Sequence, residues 1–220
     1  VEVDEGAKSL ARAVPPDELL AGLERRARES REAARAALSE LGGDLADERV
    51  YTLREGDQVL GRARAMLGRA REIVLGDLFP GPFDALADDL VAAASRGVRV
   101  LVKVYSRRDL VGVTEVPEPD ARRALKEWPG QPLALVVDAE EHLVALLDPS
   151  LSHVRQAVWS RSAFLSCVSH NHVAMELLHT AWRERGSLSG SDALVGISLL
   201  ASRPSGLRRL QERGVEPPAG

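Results

Sequence analysis

Residues 71–106 read REIVLGDLFPGPFDALADDLVAAASRGVRVLVKVYS, and the fold class turns on them. Ile73, Val74 and Leu75 form an apolar run that leads into Asp77. Phe83, Leu86, Leu90, Val91 and Ala94 then recur at helical spacing, and Gly97 stops that helix before Val98–Tyr105 runs apolar again. A strand, a helix and a strand follow one another. Two such runs joined by one helix pair in parallel through a right-handed crossover, because only that hand packs the helix back on the sheet. Ligands of such sheets sit beyond the carboxyl ends of the strands. Asp77, Tyr105 and Ser106 stand at those ends and are the first candidates for ligand contact.

Working outward, Gln58–Ala70 repeats Val59, Leu60, Ala63, Met66 and Leu67 on one face, an amphipathic helix that feeds the strand at Glu72. Residues 106–119 show no sustained period and read as a loop over the carboxyl edge of the sheet. Ala121–Trp128 reads as a short helix, and Leu133–Val137, Leu143–Leu147 and Gln156–Trp159 as strands, so the sheet is expected to be mixed. Ala163–Arg185 is the longest helix of the domain, with Val168, Met175, Leu178 and Trp182 on one stripe and Leu165, Val173, Leu177 and Ala181 beside it. With two apolar stripes it is expected to be largely buried. From Gly186 the chain turns Ser- and Gly-rich, then apolar at Ala193–Ala201, then basic, and the end reads as a loose tail.

Before this domain, Pro15 and Pro16 end a weakly alternating run, and Pro16, Asp17 and Glu18 suit the first turn of a helix. Leu20, Leu23, Ala27, Ser30, Ala34, Ala37 and Leu41 then fall at alternating spacings of three and four, the period of a coiled-coil seam, until Gly42 and Gly43. Such a helix extends about 39 Å at roughly 1.5 Å per residue. We read Leu20, Leu23, Ala27, Ala34 and Leu41 as a dimerisation seam, against the plainer reading that the stripe packs on its own domain. Four segments result: 1–15, 16–43, 44–186 and 187–220.

Composition narrows the function. The 220 residues carry a formal charge of −4, so there is no basic footprint for bulk nucleic-acid binding. A single cysteine, Cys167, excludes an internal disulfide, and neither a signal peptide nor a membrane-length apolar run is present, which predicts a cytoplasmic protein. The chain begins at Val1 without methionine, and something upstream is expected to have been removed. Cys167, His170, His172 and His179 raise a metal hypothesis, but positions 170 and 172 lie about 200° apart around a helix and cannot share an ion. No metal and no cofactor is expected.

The runs PPDELLAGLERRARESREAARAALSEL, GDQVLGRARAMLGRAREIVLGDLF, SRGVRVLVKVY and LALVVDAEEHLVALL resemble those of TrmB-type transcriptional regulators over about residues 1–185. The resemblance implies a coiled-coil dimerisation helix followed by a phospholipase D-like effector-sensing domain. It also implies that residues 1–14 are the remnant of a winged-helix wing, with Lys8 and Arg12 near DNA phosphate. The DNA-reading helix is absent from the sequence. In the phospholipase D pattern H-x-K-x4-D, placing Asp138 at the Asp puts Gln131 at the His and Leu133 at the Lys. Glutamine is no nucleophile at phosphorus and leucine cannot neutralise phosphate, so no catalytic residue is expected. Placing His142 at the His fails too, with Val144 and Pro149 in the other two positions.

Trp159, Ser160 and Arg161 end the last strand, where a ring and polar donors suit a small ligand; the plainer reading makes Trp159 core and Arg161 surface. Asp138 has a turn role as its plainer reading, Asp77 a capping role, and Tyr105 a core ring with its hydroxyl at the surface. The expectation is therefore an α/β protein with a phospholipase D-like mixed sheet flanked by helices, preceded by a long N-terminal coiled-coil-type helix. Its ligand-binding candidates are Asp77, Tyr105, Ser106, Asp138, Trp159, Ser160 and Arg161. Functionally it reads as the effector-sensing and dimerisation region of a TrmB-like regulator. Its expected partners are a second copy, a small-molecule effector, and DNA only through the missing winged helix; no membrane is involved. A stand-alone protein-interaction module and a degenerate phospholipase D-like hydrolase are the alternatives.

Overall fold

A computed structural model describes residues 2–3, 11–12, 15–41, 48–186 and 194–214. The chain divides into two compact units, Val1–Leu45 and Ala46–Gly220. In the first, β1 (Glu2–Val3) pairs antiparallel with β2 (Ala11–Arg12), and α1 runs over Pro16–Leu41 with Asp17 and Glu18 in its first turn. Leu20 and Leu23 on the expected seam are 57% and 49% exposed. The side chains of Ala34 and Leu41, and the glycine pair after them, lie outside the described residues.

The second unit is built on one seven-stranded mixed sheet. Its strands are β3 (Val50–Thr52), β4 (Ile73–Leu78), β5 (Arg99–Val104), β6 (Val113–Pro117), β7 (Gln131–Val137), β8 (Glu141–Leu147) and β9 (Val154–Ser160), in the order β3-β9-β8-β7-β4-β5-β6. β4, β5 and β6 are parallel neighbours, whereas β7, β8, β9 and β3 continue the sheet antiparallel from the other side of β4. The strand, helix and strand of residues 71–106 thus pair as expected. The helices are α2 (Gly56–Arg69), α3 (Pro80–Ser95), α4 (Ala121–Glu127), α5 (Ala163–Arg185), α6 (Leu199–Ser202) and α7 (Ser205–Gly214).

Period-2 alternation sorts the strand residues onto two faces. Val74, Leu78, Val100, Val102, Leu133 and Leu135 point to the face covered by α2 and α3, where Met66, Phe83, Leu86 and Leu90 complete the larger core. Ile73, Leu75, Leu101 and Val136 point the other way and meet Val173, Ala174 and Leu177 of α5. Pro80 opens α3 without forfeiting a helical bond, as first-turn prolines do. The Ser162 hydroxyl accepts from the Leu165 N–H at the start of α5, and Gly186, at φ 68°, ends it in the left-handed conformation that glycine adopts without penalty.

Three expectations need correction. Residues 113–117 are not loop: Val113–Pro117 pairs in parallel with β5, and Val116 turns inward, because the β5 edge offers a row of backbone groups that this Val-containing segment satisfies. The basic end is not loose as far as residue 214. Leu207 of α7 packs with Ala139 and Cys167, the Gly206 N–H donates to the Asp138 carbonyl at 2.9 Å, and Arg208 and Arg209 pair with Glu72 and Glu140. Gly206 is required there, since a Cβ would lie 1.9 Å from the Ala139 carbonyl oxygen. Finally, α5 is buried along only one stripe. Phe164, Val168, Met175 and Trp182 are 53–59% exposed, because a single helix over one sheet face buries the side carrying Val173, Leu177 and Ala181 and turns the other to solvent.

Candidate functional site: a cavity between the sheet and its last long helix

Strand register alone lays out the floor of this site. Lys103 stands opposite Asp77, Asp77 opposite Ala134, Ala134 opposite Val144 and Val144 opposite Val158, so one row crosses five strands on the face that carries α5. The next row toward the carboxyl ends of β4 and β5 holds Tyr105, Phe79, Pro132, Leu146 and Gln156. These two rows, with Trp128 after α4 and with His172 and Glu176 of α5, enclose a cavity of about 610 Å³. It is charged at the β5 end and, Gln156 apart, apolar over β7 to β9.

The polar end is organised by Lys103, whose side chain is only 9% exposed. Its ammonium lies 3.3 Å from Glu176, 3.4 Å from Glu118 and 3.5 Å from Asp77. The Tyr105 hydroxyl donates to Asp77 Oδ1 at 3.1 Å. Arg183 of α5 bonds Glu118 at 2.9 Å and also reaches Asp120. Burial raises the Asp77 carboxyl above its ordinary range, with Lys103 and Tyr105 pulling the other way. Burial also works against the charge on Lys103, but Asp77 and the neighbouring acids more than offset it and hold the ammonium protonated. The Tyr105 phenol is pushed up by burial and by Asp77. Phe79 packs between the other two rings, 4.2 Å from Tyr105 and 6.3 Å from Trp128.

Of the residues singled out from sequence, the cavity brings together Asp77 and Tyr105. Ser106 does not line it; its hydroxyl accepts from Arg108. Asp138 lies at the opposite end of β4, where its carboxylate accepts from the N–H groups of Arg71, Glu72 and Ile73. Trp159 faces the α2 and α3 core, with Arg62 3.8 Å over its ring and its indole N–H donating to Glu141. Ser160 is fully buried and donates to the Arg49 carbonyl, and Arg161 is exposed at the start of α5. Sequence reading missed Lys103, Trp128 and Glu176, and weighed His172 only as a metal ligand. For Lys103 a signal existed, since a lone cation between Val102 and Val104 on an apolar strand, two residues from Tyr105, must find partners on one face.

The positions of the phospholipase D pattern point elsewhere. The Gln131 side-chain oxygen accepts from the Gly81 N–H at 3.0 Å, and Leu133, although it borders the cavity floor, is buried in the larger core, so neither belongs to the cavity's charged cluster. The histidine cluster is likewise split: His170 is buried with Nε2 2.9 Å from the Ile197 carbonyl, whereas His172 and His179 are exposed.

His142, 3.1 Å from the Ser166 hydroxyl, and His170 both titrate below their ordinary value of 6.5 because burial disfavours the imidazolium. A depressed histidine makes the unfolded chain bind more protons as pH falls. Its stabilising contribution is therefore complete above about pH 6.5 and is lost as pH drops through the folded value. The urea midpoint should accordingly be lower at pH 5.5 than at pH 7.5, and His142→Asn with His170→Gln should flatten that difference.

The family model described as transcriptional regulator TrmB, EBD N-terminal subdomain, matches residues 49–170, more than half of the chain. The chain belongs to the TrmB family. The matched TrmB segment spans the sheet from β3 to β9 and the first turns of α5, and so contains every strand of the cavity floor. Among solved structures, TrmBL2, described as an archaeal chromatin protein with a novel mode of DNA binding, is 18% identical, with a TM-score of 0.43 over 79% of this chain and 71% of that one. NucT from Helicobacter pylori is 9% identical, with a TM-score of 0.47 over 60% of this chain and 96% of that one. No curated protein matches the chain. Among the described residues of this TrmB-family chain, no helix is long and apolar enough to cross a membrane.

Proposed function

We propose that this chain is the effector-sensing and dimerisation region of a TrmB-like transcriptional regulator, built on a phospholipase D-like sheet that performs no catalysis. The observation that carries the reading is the cavity: about 610 Å³, its floor strands all within the family-matched segment, with charged groups gathered at one end and a largely apolar floor. That size and make-up are those of small-molecule sites. Gln131 and Leu133, tied to Gly81 and to the core, support the absence of catalysis. α1 supplies the dimer seam through Leu20, Leu23, Ala27, Ala34 and Leu41. A ligand that binds better in one dimer geometry then shifts the spacing of DNA-reading heads by its differential affinity.

A thermal-shift screen of metabolites tests the reading. A ligand at 100 times its dissociation constant stabilises by about 2.7 kcal/mol, and Val144→Trp, which fills the middle of the floor, should abolish the shift while leaving the unliganded melt in place. Hits that ignore Val144→Trp place the effector elsewhere. The exposed stripe Phe164, Val168, Met175 and Trp182 favours a second reading, a protein-interaction module. That reading gains if no metabolite shifts the melt.

A further inference from the structure

The charge around the cavity is unbalanced, and the imbalance has a sign. Among the described residues, Asp77, Glu118, Asp120 and Glu176 form one connected network with two cations, Lys103 and Arg183. Both cations are already engaged. Lys103 is held among three carboxylates at 3.3–3.5 Å, and Arg183 is shared by Glu118 and Asp120. Among the described residues that line the cavity the one lysine or arginine is Lys103, already engaged, so an anionic ligand would meet Asp77 and Glu176 directly, with the His172 ring as the remaining basic group. A cation would relieve the surplus.

The rings beside this network point the same way. The chain has eight aromatic residues, and three of them, Phe79, Tyr105 and Trp128, converge on this one cavity. Trp128 is 52% exposed, which leaves ring surface open beside the cavity for a ligand to contact. The Lys103 ammonium already sits 5.5 Å from the centre of the Tyr105 ring, so the cluster is accepting one cation through its π face. Past the rings the floor is Ala134, Val144 and Val158, with Gln156 the one hydrogen-bonding side chain of the β7 to β9 lining, so it offers little to a polyol and good contact to a hydrocarbon body.

From this cavity, its aromatic wall and its net acidic rim together, we propose that the effector is a hydrophobic organic cation, an amine or quaternary ammonium carried on an aromatic or alkyl body. The inference rests on the cavity being the effector site. The cationic head lies against Asp77 and Glu176 beside Tyr105 and Trp128, and the body lies along the apolar row of Ala134, Val144 and Val158. Release of the ligand leaves Glu176 to Lys103, and Asp77 to Lys103 and the Tyr105 hydroxyl. Desolvated cation–π and carboxylate contacts favour the charged head over a neutral one of the same shape.

Three probes with one body separate the possibilities: 4-phenylbutylamine, 4-phenylbutan-1-ol and 4-phenylbutyrate, titrated calorimetrically into the full chain. The amine should bind at least about tenfold more tightly than the alcohol, which corresponds to about 1.4 kcal/mol, and the acid should not bind. Glu176→Gln should weaken the amine several-fold and leave the alcohol unchanged, and Trp128→Ala should weaken the amine most. Because Glu176 is 39% exposed, its substitution preserves the fold, whereas Asp77→Asn removes a partner of the buried Lys103. Equal or tighter binding of the alcohol or the acid overturns the cationic class, as does binding of none of the three. The effector reading itself falls only if the metabolite screen also yields no shift sensitive to Val144→Trp.

Discussion

Replacing Lys103 by methionine should destabilise the protein by about 3 kcal/mol, the range seen when one partner of a buried ion pair is removed. Methionine keeps the length of the side chain, so the loss is electrostatic rather than a packing defect. Asp77 and Glu118 would be left with their charges largely out of water, Asp77 with only the Tyr105 hydroxyl and Glu118 with Arg183 and the Asp120 N–H. Glu176, more exposed, can turn to solvent. Urea denaturation at pH 7 measures the loss. Two controls distinguish this from general damage. Adding Asp77→Asn to the variant should recover part of the loss, because the uncompensated charge is gone. The loss should also shrink at pH 4.5, since a carboxyl already raised by burial loses the ammonium that opposed that rise and is protonated more readily.

Asp138→Ala should cost about 3–4 kcal/mol and leave the cavity intact. The Asp138 carboxylate accepts from the Arg71, Glu72 and Ile73 N–H groups at 2.9, 2.9 and 2.8 Å, and so fixes the entry to β4. Alanine would orphan all three, and the buried Ile73 N–H has no water to replace the lost acceptor. Asp138 also sits at φ 54°, a left-handed conformation that Asp and Asn adopt at lower cost than Ala. Asp138→Asn should therefore cost much less, about 1 kcal/mol, since one oxygen can keep the Glu72 and Ile73 bonds. Both variants should bind the same ligands as the parent at temperatures where they are folded, because Asp138 and Asp77 stand at opposite ends of β4.

Much of the fold was legible because it is written in periodicity. Residues 71–106 alternate and recur in ways that admit little besides a strand, a helix and a parallel strand. Residues 113–117 were not legible, because Val113, Thr114 and Val116 form an edge strand only by virtue of the β5 edge beside them. The burial of α5 was misjudged for a related reason: a helix with two apolar stripes does not declare which one meets the sheet. At the site, Asp77 and Tyr105 could be found from their places at strand ends. Trp128 and Glu176 come from segments 51 and 99 residues beyond Asp77, and only register and helix placement bring them to it. Asp138, Trp159 and Ser160 also sit at strand ends, but at the far end of the sheet, where the antiparallel run of β7 and β9 delivers them.

The docking of α7 has a consequence for the order in which the domain assembles. Its landing place is composite: Glu72 precedes β4, whereas Asp138, Ala139 and Glu140 follow β7. That surface does not exist until β4 and β7 have paired, and Arg208 must then close a loop of 136 residues to reach Glu72. Such long-range closure is slow and comes after local structure has formed. In hydrogen exchange, α7 should therefore open at a lower free energy than the central strands, as a small cooperative unit of its own.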